Sequence, residues 1–167
     1  GRKFGTTGGE PLSWASNVSL PTIVCQRFPE SRIAALSTLC VYPYVTPESG
    51  GSRESDPPAP NGEYTMSTLG RERVFQHFSQ ANGTPVALIR LTYAVELRYG
   101  VLVDIADRIW REEPLDISTA FVNVLWQADA NARILAAIAL ADRPARPLNV
   151  AGPEHFAVAD LAARRRE

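Results

Sequence analysis

Only two cysteines and two histidines occur among the 167 residues. Cys25, Cys40, His77 and His155 fall at no spacing that a structural metal site or a disulfide framework requires. Both thiols stand in apolar contexts and are expected to be reduced and mostly buried. Neither sign of charge is in excess: 17 basic against 18 acidic residues leave a formal charge of −1, which removes the electrostatic footprint of a nucleic-acid or acidic-lipid binder. No apolar run approaches the roughly 20 residues that cross a bilayer. The first ten residues do not follow the basic-then-apolar pattern of a leader. A soluble, cytoplasmic protein is expected. What is present is a globular composition, 45% hydrophobic and 21% charged, in a chain long enough for one domain with a buried core. The chain opens on Gly1 without an initiator methionine and closes at Glu167 inside a predicted helix, so a fragment of a longer protein is expected.

Periodicity and punctuation divide the chain into alternating segments. A helix is predicted over 11–28, where Pro11 suits a first helical position, Leu12, Ala15, Leu20, Ile23 and Val24 form an apolar stripe, and Pro29 stops it. Pro21 should bend it. A short buried strand follows over 32–36, with Ser37 and Thr38 at its end. Residues 43–62 carry five prolines and form a long irregular excursion of the kind used as lids. A second helix is predicted over 62–81, a strand over 85–91, a helix over 100–111 and a strand over 121–126. An apolar helix over 127–141, a strand over 147–150 and a helix from 158 complete the chain. Strand–helix alternation favours an α/β fold with a parallel sheet covered by helices and a ligand cleft at the carboxyl ends of the strands. The strands at 32–36 and 85–91 should be adjacent and parallel, with the intervening helix crossing between them.

The chemistry concentrates at the strand end carrying Thr38 and on the helix carrying Tyr64. Tyr64, Thr68 and Arg71 lie at i, i+4 and i+7 on one helical face. A phenol can serve as acid and base in carbonyl/alcohol interconversion if a nearby cation or cofactor charge brings its pKa down from about 10. A neighbouring hydroxyl would hold the substrate oxygen. On spacing alone, Tyr64 reads first as an amphipathic residue at a helix start, its ring packed and its hydroxyl wet. His77 reads as surface or satisfied core, Trp110 and Trp126 as inward or cleft-edge residues, and Asp129 and Asn131 as first-turn residues. Arg164 to Arg166 read as a solvated helix end.

The stretch Ala34-Ala35-Leu36-Ser37-Thr38-Leu39-Cys40-Val41-Tyr42-Pro43, then Glu54-Ser55-Asp56-Pro57-Pro58 and Tyr64-Thr65-Met66-Ser67, resembles the SS-x-x-VYG, E-x-x-P and Y-x-x-SK series of the extended short-chain dehydrogenase/reductases. These are NAD(P)-dependent epimerases and dehydratases of nucleotide sugars. Asn17, Ile89-Arg90-Leu91, Phe121-Val122-Asn123-Val124 and Leu148-Asn149-Val150-Ala151-Gly152 agree in order, so the resemblance covers nearly the whole chain. It implies part of a Rossmann-like doubly wound parallel sheet. Residues 1–92 would form the second half of the dinucleotide-binding domain and 93–167 mainly a small substrate-binding portion with strands returning to the sheet. By the same resemblance Tyr64 is the catalytic tyrosine, Thr38 orients the substrate oxygen, and Asn17 supports a proton-relay water. Leu36, Ser37, Tyr64, Thr68 and Leu91 would line NAD or NADP, and Thr38, Thr92 and Tyr93 a sugar-like substrate.

Two departures from that pattern bear on activity. The family's lysine, four residues after the tyrosine, is here Thr68, which cannot lower the phenol's pKa as a cation does; Arg71 stands a further turn away and, long as its side chain is, is not expected to reach the phenol. The amino-terminal βαβ units with their glycine-rich phosphate loop have no counterpart. Gly5-Thr6-Thr7-Gly8-Gly9 follows no strand, and Pro11 removes a helix N–H, so it reads as an ordinary loop. The expected function is Tyr-assisted proton transfer coupled to hydride transfer in an oxidoreductase or epimerase/dehydratase. The alternative is a non-catalytic relative that binds a nucleotide or a protein. This chain alone is expected to be inactive. No nucleic-acid partner, membrane or metal is expected, and the resemblance implies a homodimer through the helices at 11–28 and 62–81.

Overall fold

A computed structural model describes residues 8–163; Gly5 to Thr7 of the glycine-rich segment and the Arg164–Arg166 run lie outside them. The first helical stretch starts after Gly9 as α1 (Glu10–Trp14), passes through a π-helical turn (Ala15–Ser19) and continues as α2 (Leu20–Arg27). The turn is where Pro21 makes itself felt. Proline offers no N–H to the carbonyl four residues back and its ring crowds that carbonyl, and a π turn ahead of it relieves both.

Strand β1 (Ile33–Thr38) runs two residues past the predicted end, so Thr38 closes it. The excursion that follows holds two short 3₁₀ turns, Leu39–Val41 and Pro47–Ser49. Helix α3 (Glu63–Asn82) stops at Gly83, whose left-handed φ of 70° ends the helix at low steric cost. Then come β2 (Val86–Leu91), β3 (Tyr93–Val95), α4 (Val101–Trp110), β4 (Phe121–Trp126) and α5 (Gln127–Ala137), followed by β5 (Arg146–Val150), β6 (His155–Ala157) and α6 (Val158–Ala163). The helix expected over 127–141 is shorter than its pattern, its last turn tightening to 3₁₀ at Ile138–Leu140.

The principal sheet is parallel throughout, in the order β1-β2-β5, with Ile33 opposite Val86 and Ala87 opposite Arg146. The expected adjacency of the first two strands is therefore present, and α3 is the crossover between them. Strand β2 is apolar on both sides because both are covered. Val86 and Leu88 pack with Cys25, Ala35 and Phe75 beneath α2 and α3; Ala87 and Ile89 pack with Ala130, Ala137 and Val150 beneath α5. A second, smaller sheet has the order β3-β4-β6, parallel at the first pair and antiparallel at the second, over a core of Ile105, Val122 and Val158. One close approach joins the two regions: a Cβ at Gly152 would lie 1.8 Å from the Val124 carbonyl oxygen, so only glycine fits there.

Trp110 departs from expectation. It is 80% exposed, because α4 turns Val101, Ile105 and Ile109 to the small core and leaves its last residue outside. Trp126 is partly exposed at the end of β4. Both cysteines are free thiols, Cys25 fully buried and Cys40 partly so. His77 is exposed, its ring edge-on to Phe78 at 5.2 Å.

Candidate active site

At the carboxyl end of β1 the chain turns sharply, and Thr38 Oγ1 accepts the backbone N–H of Cys40 at 3.2 Å to cap that turn. Helix α3 lies across this end, so its first turns deliver Tyr64 beside Thr38. The phenol hydrogen-bonds with the side chains of Thr38 and Thr68. The juxtaposition expected for Tyr64 and Thr38 is thus what the fold produces. Thr68 is fully buried and its hydroxyl also donates to the Tyr64 carbonyl at 2.8 Å, the back-bond typical of a mid-helix threonine.

Burial pushes the Tyr64 phenol above its ordinary value, and Cys40 adds to the rise; Arg71 and the bonds from Thr38 and Thr68 work the other way without overcoming it. Arg71 therefore does reach the site electrostatically, against the expectation from its distance along the helix. It is anchored at two points: one guanidinium nitrogen donates to the Leu36 carbonyl at 2.5 Å and the other to Asn17 Oδ1. Asn17 is fully buried in the π-helical turn and donates through Nδ2 to Ser67 Oγ at 2.9 Å. Both ends of its amide are used inside the protein.

The other expected residues fall into two groups. Tyr93 stands in the same region: partial burial, with Cys40, Tyr44 and Tyr64 disfavouring a second negative charge, pushes its pKa up to about 12. Leu91 is partly buried against the principal core at the end of β2. Thr92 joins the two sheets, its hydroxyl donating to the Asn123 carbonyl at 2.7 Å and its N–H to Val150 at 3.0 Å. Ser37 donates to Glu72 Oε1 at 2.5 Å.

That last bond belongs to a network the sequence reading did not single out. Glu72 and Arg90, both buried, form a two-point ion pair, Nε to Oε1 at 3.0 Å and Nη2 to Oε2 at 2.8 Å. Arg90 also donates to the Tyr42 hydroxyl at 2.5 Å and lies over the Tyr42 ring at 4.7 Å. Tyr42 in turn donates to Asn149 Oδ1 at 3.0 Å. Asn149 then fastens the excursion after β1, its Nδ2 to the Ser52 carbonyl at 3.0 Å and its backbone N–H to Glu54 at 2.9 Å. The signal was available: an arginine in the otherwise apolar PVALIRL run requires a buried partner, and Glu72 lies eight residues past Tyr64 on the same helix. Among the described residues no cluster of three or more His, Cys, Asp or Glu could hold a metal, and no helix is long and apolar enough to cross a membrane.

The architecture defines an α/β protein with a hydroxyl-lined site at the end of a parallel sheet. Comparison with solved structures narrows this. A dTDP-glucose 4,6-dehydratase from Streptomyces venezuelae, solved with NAD bound, matches with a TM-score of 0.79 at 18% identity, over 93% of this chain and 50% of that one. A UDP-N-acetylglucosamine 4-epimerase from Bacillus cereus matches with a TM-score of 0.74 at 19% identity, over 97% and 59%. A UDP-glucuronic acid 4-epimerase from the same species, in complex with NAD, gives 0.76 at 16% identity, over 93% and 53%. No protein-family model and no curated protein matches the sequence. The chain shares the Rossmann-type fold of these structures and spans about half their length.

Proposed function

We propose that the protein carrying this chain is an NAD(P)-dependent oxidoreductase or epimerase/dehydratase acting on a nucleotide-sugar-like substrate, with Tyr64 as its acid–base group and Thr38 as the hydroxyl that orients the reacting oxygen. The observation that carries this reading is the partly buried Tyr64 phenol bonded to Thr38 at the carboxyl end of a parallel strand. A phenol so placed can take a proton from a substrate hydroxyl and return it, while Thr38 fixes the direction of approach. A bound nicotinamide supplies hydride acceptance and return. The donor set suits that end of a dinucleotide: Tyr64 and Thr38 offer hydroxyls and Leu91 an apolar edge. The described residues include no glycine-rich strand-to-helix turn for a pyrophosphate, so those contacts are assigned to other residues of the protein.

Within the same proposal, residues 1–92 complete the dinucleotide-binding half and 93–167 contribute mainly the substrate side. Tyr93 faces substrate; Leu36, whose side chain is exposed, lines the cofactor, and Ser37 and Thr68 support that wall from behind, since their polar groups are already bonded within the protein. The same holds for Asn17 and Thr92. A dimer through the helices at 11–28 and 62–81 is supported by Leu12, Leu20, Ile23 and Met66, which those helices leave exposed. A second reading, a relative that binds without turnover, is favoured by one observation: position 68 holds a buried hydroxyl in place of a cation, beside a phenol that burial raises.

Turnover by the full-length protein separates the two. Tyr64→Phe should lower kcat by at least about 100-fold while leaving NADH binding and the melting temperature nearly unchanged. Equal turnover by both forms removes Tyr64 from the chemistry. Binding of dinucleotide without turnover in the unaltered protein selects the second reading.

A further inference from the structure

We propose that Arg71 is the positioning cation of this site, its guanidinium held between the Leu36 carbonyl and Asn17 so that its charge acts on the Tyr64 phenol. The inference rests on the reading of Tyr64 as the acid–base group. Lys3 is the single lysine of the chain and neither histidine acts on the phenol, so the cation near it among the described residues is an arginine. The titratable and charged groups around Tyr64 are Cys40 after β1, Tyr93 on β3 with Tyr44 beside it, and Arg71 with its neighbour Glu72 on α3. Arg71 alone in that set is positive.

Its anchoring is what makes it effective. Both of its acceptors, the Leu36 carbonyl at 2.5 Å and the Asn17 amide oxygen, are neutral, so they fix the guanidinium without cancelling its charge. Glu72, the nearest carboxylate in sequence, is committed to Arg90 through both oxygens. Asn17 is itself pinned by Ser67 at 2.9 Å, one residue before Thr68. These bonds hold a side chain from the turn after Thr68 against β1, two residues before the Thr38 that meets the phenol. This also gives Asn17 a use: it steers a cation. The Arg71 charge opposes the rise that burial imposes on Tyr64, and the phenol in turn favours the charged guanidinium.

The test is a titration of position 64 in the full-length protein. Difluorotyrosine incorporated at position 64 ionises well below tyrosine, and its fluorine resonance reports that one phenol. Arg71→Met should move the midpoint upward by about one pH unit, a tenfold change in ionisation constant, whereas Arg71→Lys should stay within a few tenths of the unaltered protein. Equal shifts in both variants, or a shift in neither, overturn the proposal, because charge would then not be what residue 71 supplies. Should Arg71→Met fail to give a cooperative melt, Arg71→Gln against Arg71→Lys makes the same comparison: a higher midpoint in the glutamine form supports the proposal and coincident midpoints overturn it. NADH binding, followed by its fluorescence, is read separately. A protein that binds no dinucleotide, yet whose phenol still follows the charge at position 71, overturns the proposed function and leaves the assignment of Arg71 standing.

Discussion

Helix α3 carries two polar clusters that differ in how completely they are satisfied. Towards its start, the Tyr64 phenol meets the neutral hydroxyls of Thr38 and Thr68, with the Arg71 cation anchored by neutral oxygens. Towards its middle, Glu72 is paired oxygen by oxygen with Arg90 and Ser37, and Arg90 is finished by Tyr42. The ion pair of the second cluster is fully buried and the first cluster is buried in part, so both carry a desolvation cost. The second offsets it with charge-assisted bonds at 2.5 to 3.0 Å and has no group left over for a ligand. The first leaves its phenol shifted and its cation unneutralised, which is the state a reactive group needs. The difference separates a support from a site: the ion pair ties α3 to β1 and β2, and that fixes where Tyr64 sits.

The largest effect expected from this contrast is in stability. Glu72→Ala strands the Arg90 guanidinium in the core and should cost about 3–5 kcal/mol in denaturant unfolding. Glu72→Met combined with Arg90→Met removes both charges and should recover most of that loss. A single substitution costing under about 1 kcal/mol would break the distinction, since the pair would then not be what holds α3. Tyr64→Phe, by comparison, should leave stability within about 1 kcal/mol of the unaltered protein.

Next in size is the link from this support to the excursion over 43–62. Tyr42→Phe keeps the ring under Arg90 but removes the hydroxyl that accepts from Arg90 and donates to Asn149. A loss of about 2 kcal/mol is expected, in line with bonds to a charged group. Limited proteolysis within 43–62 should quicken, because Asn149 is the residue that fastens Ser52 and Glu54. Unchanged cleavage with lowered stability would confine Tyr42 to the core and detach it from the loop.

Much of the principal sheet was legible in the sequence because its signals are local. The PVALIRL run is apolar on both sides of the strand, Asn82-Gly83 marks a helix end, and alternation of strands and helices implies parallel pairing. The meeting of Tyr64 with Thr38 was legible for the same reason, both being placed by element ends. What escaped was set by side-chain reach across elements. Arg71 looked too far from the phenol when counted along α3, and only Asn17, fifty-four residues earlier, shows how it is steered back. Trp110 was assigned by hydrophobicity to an inward position, but the last residue of α4 falls off the face that Ile105 and Ile109 define. The Glu72–Arg90 pair could have been inferred from one charge in an apolar strand, although its partner could not be chosen among several acidic residues without the fold.

The smallest expected effect concerns the rim of the site and appears only at high pH. Tyr93 is held protonated up to about 12 by partial burial beside Cys40, Tyr44 and Tyr64, whereas an unfolded chain would lose that proton near 10. The folded state therefore binds the proton more tightly. Below pH 10 both states are protonated and the group contributes no pH dependence; between 10 and about 12 the unfolded state releases its proton first and stability falls; above 12 both are ionised and the loss is complete. Tyr64, also raised, adds to the same fall, and Arg71 limits its share. Thermal melts of Tyr93→Phe should decline less steeply than those of the unaltered protein between pH 10 and 11.5, with parallel behaviour at pH 7 to 9. Because Tyr93 is 40% exposed, solvent screens much of the effect, and a difference of only a few degrees is expected. If the two melting curves stay parallel through pH 11.5, Tyr93 is as wet as an unfolded tyrosine, and the buried character argued for the first cluster stops at Tyr64.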